Sequence, residues 1–186
     1  MDAVTDAFRA VPRAGFLPAA ERRRASFDGP LDIGHGQTSS QPRTVEDMLR
    51  LLEVRPGQRV LDVGSGSGWT TALLAHLTGP DGEVVGVEIE PDLVTFGSAN
   101  LARTDQPWAR IVAATPGALG VPGHALYDRI LVSAAARELP AALVDQLAPE
   151  GRMVVPVSGW MVLAVKDDHG RVEVSRHGSY RFVPLR

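Results

Sequence analysis

The feature that most constrains this chain is an alternation. Short runs rich in Val, Ile and Leu take turns with segments of three- and four-residue apolar spacing, and the first of these runs ends on glycine. RVLDVG (59–64) is strand-like, and WTTALLAHL (69–77) follows with a helical pattern. GPDG (79–82) reads as a turn, EVVGVEIE (83–90) as a strand, and Pro91 to about Arg103 as a helix. ARIVAA (109–114) and YDRILVS (127–133) supply two more strands, LPAALVDQLAPEG (139–151) a helix, and RMVVPV (152–157) a further strand. Alternating elements with short connections predict an α/β fold, a doubly wound, mainly parallel Rossmann-like sheet with helices on both faces. The segment WMVLAVK-DDHG-RVEVSRH (160–177) breaks the rhythm and predicts a C-terminal β-hairpin.

Upstream of the alternation, residues 1–30 read as a short helix with a polar continuation through Arg22, Arg23 and Arg24. LDIGHGQTSSQP (31–42) has no apolar periodicity and reads as a loop. Pro42 then opens a helix marked by Val45, Met48, Leu49 and Leu52, which Pro56-Gly57 ends. With 186 residues, 44% of them hydrophobic, the chain suits a single domain spanning 1–186. Residues 1–56 form its N-terminal helical and loop segment, and 57–186 its Rossmann-like core. A separate substrate domain has no room.

Several chemistries are excluded by residue usage. Without any cysteine the chain has no thiol nucleophile, no CxxC pair and no disulfide. Lys166 is its only lysine among nineteen basic residues, which leaves almost no candidate for a Schiff base. A formal charge of −3 has the wrong sign for a broad nucleic-acid-binding field. No apolar stretch approaches a membrane span, and the N-terminus, with Asp2 and Asp6, has no apolar signal core. A cytoplasmic protein without membrane or nucleic-acid partners is the expectation. The five histidines share no metal-ligand spacing, so no metal site is expected.

Gly64-Ser65-Gly66-Ser67-Gly68 lies between a strand and a helix, where glycines permit both a sharp turn and close backbone approach to a ligand. The next strand ends at Glu88, 20 residues after Gly68, where a carboxylate can accept from both hydroxyls of a ribose. Glu90 is its competitor on the same strand face. The spacing GxGxG is neither the GxGxxG of dinucleotide binders nor a P-loop, which disfavours a nicotinamide-dependent oxidoreductase. Asp62, just before the loop, either binds the ligand or caps nearby groups. Trp69 either packs beside the ligand or belongs to the core.

The segments AFRAVPRAGFLP (7–18), GPLDIGHGQTSSQP (29–42), VLDVGSGSGWTTALLA (60–75), VVGVEIEPDLV (84–94), YDRILVSAAARELPAALVDQLAPEGRMVVPV (127–157) and RFVPL (181–185) together resemble successive blocks of the protein-L-isoaspartate O-methyltransferase family. The GQT-x-SQP and SAAAxELPxAL segments carry the most specific part of that likeness. The resemblance implies an S-adenosyl-L-methionine-dependent fold that methylates an isoaspartyl or aspartyl carboxylate of a peptide or protein. It implies that Ser40 is the active-site serine, and that Asp62, Gly64, Ser65, Gly66, Gly68 and Glu88 surround the cofactor. Such a reaction fits a chain without cysteine, because a carboxylate is already an anionic nucleophile at neutral pH. The protein then has to align the reactants, and a hydroxyl from Ser40 or Thr38 can orient one carboxylate oxygen. Read from its residues alone, Ser40 is better explained as a cap of the helix that starts at Pro42, and the resemblance reverses that order. Arg13 is a further candidate to pair with the substrate carboxylate. His35 carries no catalytic expectation.

Three departures from the family pattern stand out. AATPGALG (113–120) has Pro116 where the family usually has an aspartate that holds the adenine amino group. Ser39 occupies a position that is usually apolar. The chain also lacks the helix that usually precedes the first block and any arm after the last. These departures keep two alternatives open: a related enzyme that methylates a dedicated biosynthetic peptide, and a degenerate, non-catalytic binding module.

Overall fold

The computed structural model describes residues 2–186. Its sheet grows from β3 (Arg59–Val63), β4 (Glu83–Glu88) and β5 (Ala109–Ala113), which pair in parallel toward one edge. The chain then returns to the other side of β3 to add β6 (Tyr127–Val132) and β7 (Leu147–Val157), also parallel. β8 (Trp160–Lys166) and β9 (Val172–Ser179) follow antiparallel, giving the order β5-β4-β3-β6-β7-β8-β9. This is the doubly wound, mainly parallel sheet that the alternation predicts, with the expected terminal hairpin. Its direction reverses between β3 and β6, and ligands bind beyond the strand ends at such a switch point.

Alternation along the central strands sorts the core into two layers. Val60, Val84, Leu131 and Val154 face α1 (Ala3–Ala10), α2 (Pro42–Leu52), α3 (Trp69–Thr78) and α4 (Pro91–Leu101). Leu61, Val85, Ile130 and Met153 face the other way. Helix α2 buries Val45, Met48, Leu49 and Leu52, the stripe read from the sequence, and ends at Glu53 in a left-handed cap, before Pro56. Helix α3 lies between the sheet and α1, so it is buried nearly all round.

Two local expectations are corrected. Residues 31–42 are not simply a loop: β1 (Leu31–Gly34) and β2 (Gln37–Ser39) pair as an antiparallel hairpin. Gly34, His35 and Gly36 all have positive φ, which makes the tight turn, and Leu31 and Ile33 bury one side against Leu17 and Leu93. The helix predicted over 139–151 is reduced to one turn, α5 (Ala141–Val144), and Leu147 already belongs to β7. Pro149 has no amide hydrogen for a helix and Glu150 is left-handed (φ 61°), so the chain bends into the strand. The second sheet face is therefore covered by α5 and the 114–126 connection. Among the described residues, no helix is long and apolar enough to cross a membrane, and no group of His, Cys, Asp or Glu could hold a metal ion.

Candidate active site

Between β3 and α3 the chain reverses through Gly64, Gly66 and Gly68, whose φ values of 80°, 52° and 86° lie in the left-handed region that favours glycine. The Gly64 and Ser65 amides both donate to Val87 O, at 2.9 and 3.2 Å, which pins the loop to the end of β4. A Cβ on Gly68 would stand 2.9 Å from Gly97 O and 3.2 Å from Ile111 Cδ1, so the turn has no space for a side chain.

Glu88 closes β4 where the sequence puts it, 6% exposed. Its Oε2 accepts the Gly66 amide at 2.9 Å, and its Oε1 accepts the amides of Ile89 (2.8 Å) and Glu90 (3.0 Å). These three bonds end the strand two residues earlier than expected and fix the carboxylate in place. A carboxylate has about four acceptor sites, so one remains for a ligand hydroxyl. Glu90 instead pairs with Arg186.

Beyond the carboxyl ends of β3, β4 and β6 a cavity opens, walled by Val63, the loop from Gly64 to Ser67, Val87, Glu88, Ile89 and Ser133. Ala114, Ala118, Leu119 and Gly120 line another side. Thr38, Ser39 and Ser40 close it from the hairpin, and Val183 to Arg186 from the C-terminal segment. That segment is held by backbone bonds from Ala135 N–H to Val183 O (2.7 Å) and from Leu185 N–H to Ala135 O (2.9 Å). A second cavity adjoins the first and shares Thr38, Ser40, Ser133 and Val183 with it. Gln41, Arg43, Asp47, Tyr180 and Arg181 line its outer part, where the Tyr180 hydroxyl donates to Asp47 Oδ2 at 2.9 Å. Ser40 and Thr38 thus stand on a wall common to both spaces.

Asp62 lies beneath the loop and outside the cavity wall, with no exposed surface. The hydroxyls of Thr70 and Thr71 each donate to its Oδ2 at 2.7 Å, while its Oδ1 and the Ser65 Oγ are buried without a partner. Burial pushes the Asp62 carboxyl up to about 6, against the opposing pull of the two threonine hydroxyls. Trp69 does both things expected of it: it lines the cavity and is 4% exposed, stacked edge-on against Phe8 at 5.5 Å. His35 sits in the hairpin turn beside Asp92. Arg13 does not face the cavities as a substrate partner would, because its guanidinium is spent on carbonyl oxygens of the protein interior. Pro116 is exposed at the second position of a turn closed by Ala118 N–H to Thr115 O (3.0 Å). Gly117 follows at φ 77°, a Pro-Gly pair suited to a type II turn.

Sequence reasoning did not assign Ser133 or residues 183–186 to the site. Ser133 and residues 183–185 fall inside the quoted blocks SAAAxELPxAL and RFVPL, and Arg186 directly follows the second, but nothing in their local pattern says that they meet the glycine loop.

A doubly wound sheet with a GxGxG cavity at its switch point and an acidic residue ending the second strand defines a Rossmann-like methyltransferase. The family model "Protein-L-isoaspartate(D-aspartate) O-methyltransferase (PCMT)" matches residues 1–186, and the chain belongs to that family. It is 44% identical to a protein-L-isoaspartate O-methyltransferase of Methanopyrus kandleri, over 98% of this chain and 82% of the relative. It is 46% identical to one of Aeropyrum pernix, over 98% and 72%. Among solved structures it superposes with a TM-score of 0.85 and 29% identity on a Plasmodium falciparum protein described as a protein-L-isoaspartate O-methyltransferase in complex with S-adenosyl-L-homocysteine, covering 100% of this chain and 91% of that one.

Proposed function

We propose that the chain is an S-adenosyl-L-methionine-dependent carboxyl methyltransferase that acts on isoaspartyl residues of proteins and peptides. The observation that carries this reading is the position of Ser40 and Thr38 on the wall between a glycine-loop cavity and a second, outward-facing one. One space suits a nucleoside cofactor and the other an acceptor, with hydroxyls where the two would meet.

The residues present fit the cofactor. The glycine loop is a cradle that a Cβ at Gly66 would narrow, to 3.1 Å from Ile33 Cδ1, and Glu88 keeps an acceptor site free. Gly64, Ser65 and Gly66 would hold the amino-acid end and Glu88 the ribose, while Gly68, off the cavity wall, turns the chain into α3 and Asp62 braces the loop from below. When bound, S-adenosyl-L-methionine supplies a methyl group activated by a sulfonium. An isoaspartyl carboxylate is ionised at neutral pH, so the chain has no proton to remove and needs neither a general base nor a metal. Ser40, assisted by Thr38, would donate a hydrogen bond to one carboxylate oxygen and leave the other directed across the shared wall. Such alignment supplies much of the rate in a two-reactant transfer. Val183 to Arg186 and the hairpin would exclude water from the junction.

The alternatives of a dedicated biosynthetic peptide and a degenerate module are not favoured, since relatives at 40–46% identity are named protein-L-isoaspartate O-methyltransferases. Methyl transfer to an isoaspartyl peptide, set against the matching aspartyl peptide, tests the reading. Transfer to the isoaspartyl peptide alone is expected; equal rates on both peptides, or none on either, would reject it.

A further inference from the structure

Arg13 sits in a 3-10 turn (Arg13–Phe16) and is 5% exposed. Burying a guanidinium is costly unless its donors are matched. Among the described residues no carboxylate lies within ion-pair distance of it. Carbonyl groups, one hydroxyl and one ring take that place instead. Nε donates to Ser39 Oγ at 3.1 Å and Nη1 to Phe27 O at 3.0 Å. Nη2 is shared among Gly29 O (3.0 Å), Ser39 O (2.9 Å) and Ser40 O (2.9 Å). The guanidinium carbon also lies 5.5 Å from the centroid of the Trp69 ring. Trp69 directly follows Gly68, and its indole N–H donates to Val11 O at 3.0 Å. One side chain therefore joins Ser39 and Ser40, at the end of β2, to the first residue of the helix behind the glycine loop.

We propose that Arg13 is a positioning residue, whose guanidinium sets the Ser39-Ser40 backbone, and with it the Ser40 hydroxyl, against the glycine loop. This rests on the reading of Ser40 as the residue that orients the acceptor. The planar fork is essential, because an ammonium is a single point that cannot reach carbonyls on both sides of the guanidinium plane's edge. Burial lowers the guanidinium pKa to about 10, so it stays charged at neutral pH. Ser39, polar where the family is usually apolar, supplies the acceptor for Nε. The departure and the buried arginine are two halves of one contact.

The test compares the wild-type chain with Arg13→Lys, Arg13→Ala and Ser39→Ala by peptide kinetics, S-adenosylhomocysteine titration and amide hydrogen exchange. Arg13→Lys is expected to lower kcat by about 10- to 100-fold while changing the peptide KM and the S-adenosylhomocysteine Kd by no more than about threefold. Amides of residues 38–41 should exchange faster, and those of β3 should not. Millimolar guanidinium should restore part of the kcat of Arg13→Ala, and Ser39→Ala should fall between wild type and Arg13→Lys. Unchanged kcat and unchanged exchange at 38–41 would overturn the proposal. So would a parallel loss of kcat, cofactor affinity and β3 protection, which marks general destabilisation. A wild-type chain with no turnover would reject the isoaspartyl reading, and exchange at 38–41 would then decide Arg13 by itself.

Discussion

The carboxylate of Glu88 accepts the amide of Gly66 at 2.9 Å, which couples the end of β4 to the middle of the glycine loop. Glu88 therefore has two tasks, holding the loop and offering an acceptor to a ribose. Glu88→Ala should lose both. Loss of a charge-assisted hydrogen bond costs about 1.5–3 kcal/mol, so S-adenosylhomocysteine affinity should fall by at least about tenfold in calorimetric titration. Unchanged affinity would place the ribose elsewhere.

Among the described residues none hydrogen-bonds the Ser40 hydroxyl, while the Ser40 carbonyl is held by Arg13.

 Ser40→Ala should thus leave the fold and the cofactor site intact and remove only the donor to the acceptor carboxylate. Turnover of an isoaspartyl peptide should drop by about 10- to 100-fold with S-adenosylhomocysteine affinity unchanged. Steady-state kinetics beside calorimetry separates the two effects, and an unaltered kcat would remove Ser40 from the mechanism.

Asp62 makes stability depend on pH. Its carboxyl titrates near 6 in the fold, against 3.8 for an ordinary aspartate, so the fold favours the protonated form. The stabilisation that this proton brings is fully present below about pH 3.8 and is lost as pH rises through 6. Asp62→Asn has no such proton to lose. Its stability relative to wild type, read from denaturant melts, should therefore improve by about 2 kcal/mol between pH 4 and pH 7. A difference that stays flat with pH would contradict the buried charge.

Gly97→Ala should behave against helix propensity. In an open helix that change gains about 1 kcal/mol. Here the new Cβ would lie 2.7 Å from Gly66 O and 3.3 Å from Gly68 N. The variant should lose stability and bind S-adenosylhomocysteine more weakly, although Gly97 is not on the cavity wall. Thermal melting and titration check both, and a stabilised variant with full affinity would show that the loop can yield.

Pro116→Asp tests the departure in the 113–120 connection, whose Ala114, Ala118, Leu119 and Gly120 line the cavity. The turn tolerates many residues at its second position, so the exchange should not disturb the fold. If the aspartate reaches the adenine amino group, S-adenosylhomocysteine should bind about tenfold more tightly, the value of one added hydrogen bond to a charged group. Equal affinity in calorimetry would show that the base lies out of reach of position 116.

Much of this architecture follows from local pattern. The short apolar runs of β3, β4 and β6, the apolar stripe of α2 and the glycines after Val63 are all readable, because each reflects a backbone geometry or burial set by neighbouring residues. The same holds for Glu88, which is found by counting from the glycine loop along the next strand. The one-turn α5 shows the limit: LPAALVDQLAPEG has a helical composition, but Pro149 and the pairing of Leu147 with Tyr127 draw the chain into β7.

What the sequence by itself determined is therefore the order of strands and helices, the loop at the switch point and, through the family blocks, the expectation for Ser40. Only the tertiary structure decided that Asp62 lies beneath the loop without exposed surface, and that residues 183–186 close the site. It also turned Arg13 from a candidate substrate partner into an internal brace. The physical reason is distance along the chain. Arg13 and Ser39 are 26 residues apart, and Trp69 and Val11 are 58. Contacts of that separation depend on how the sheet and its helices pack, and no local periodicity encodes them.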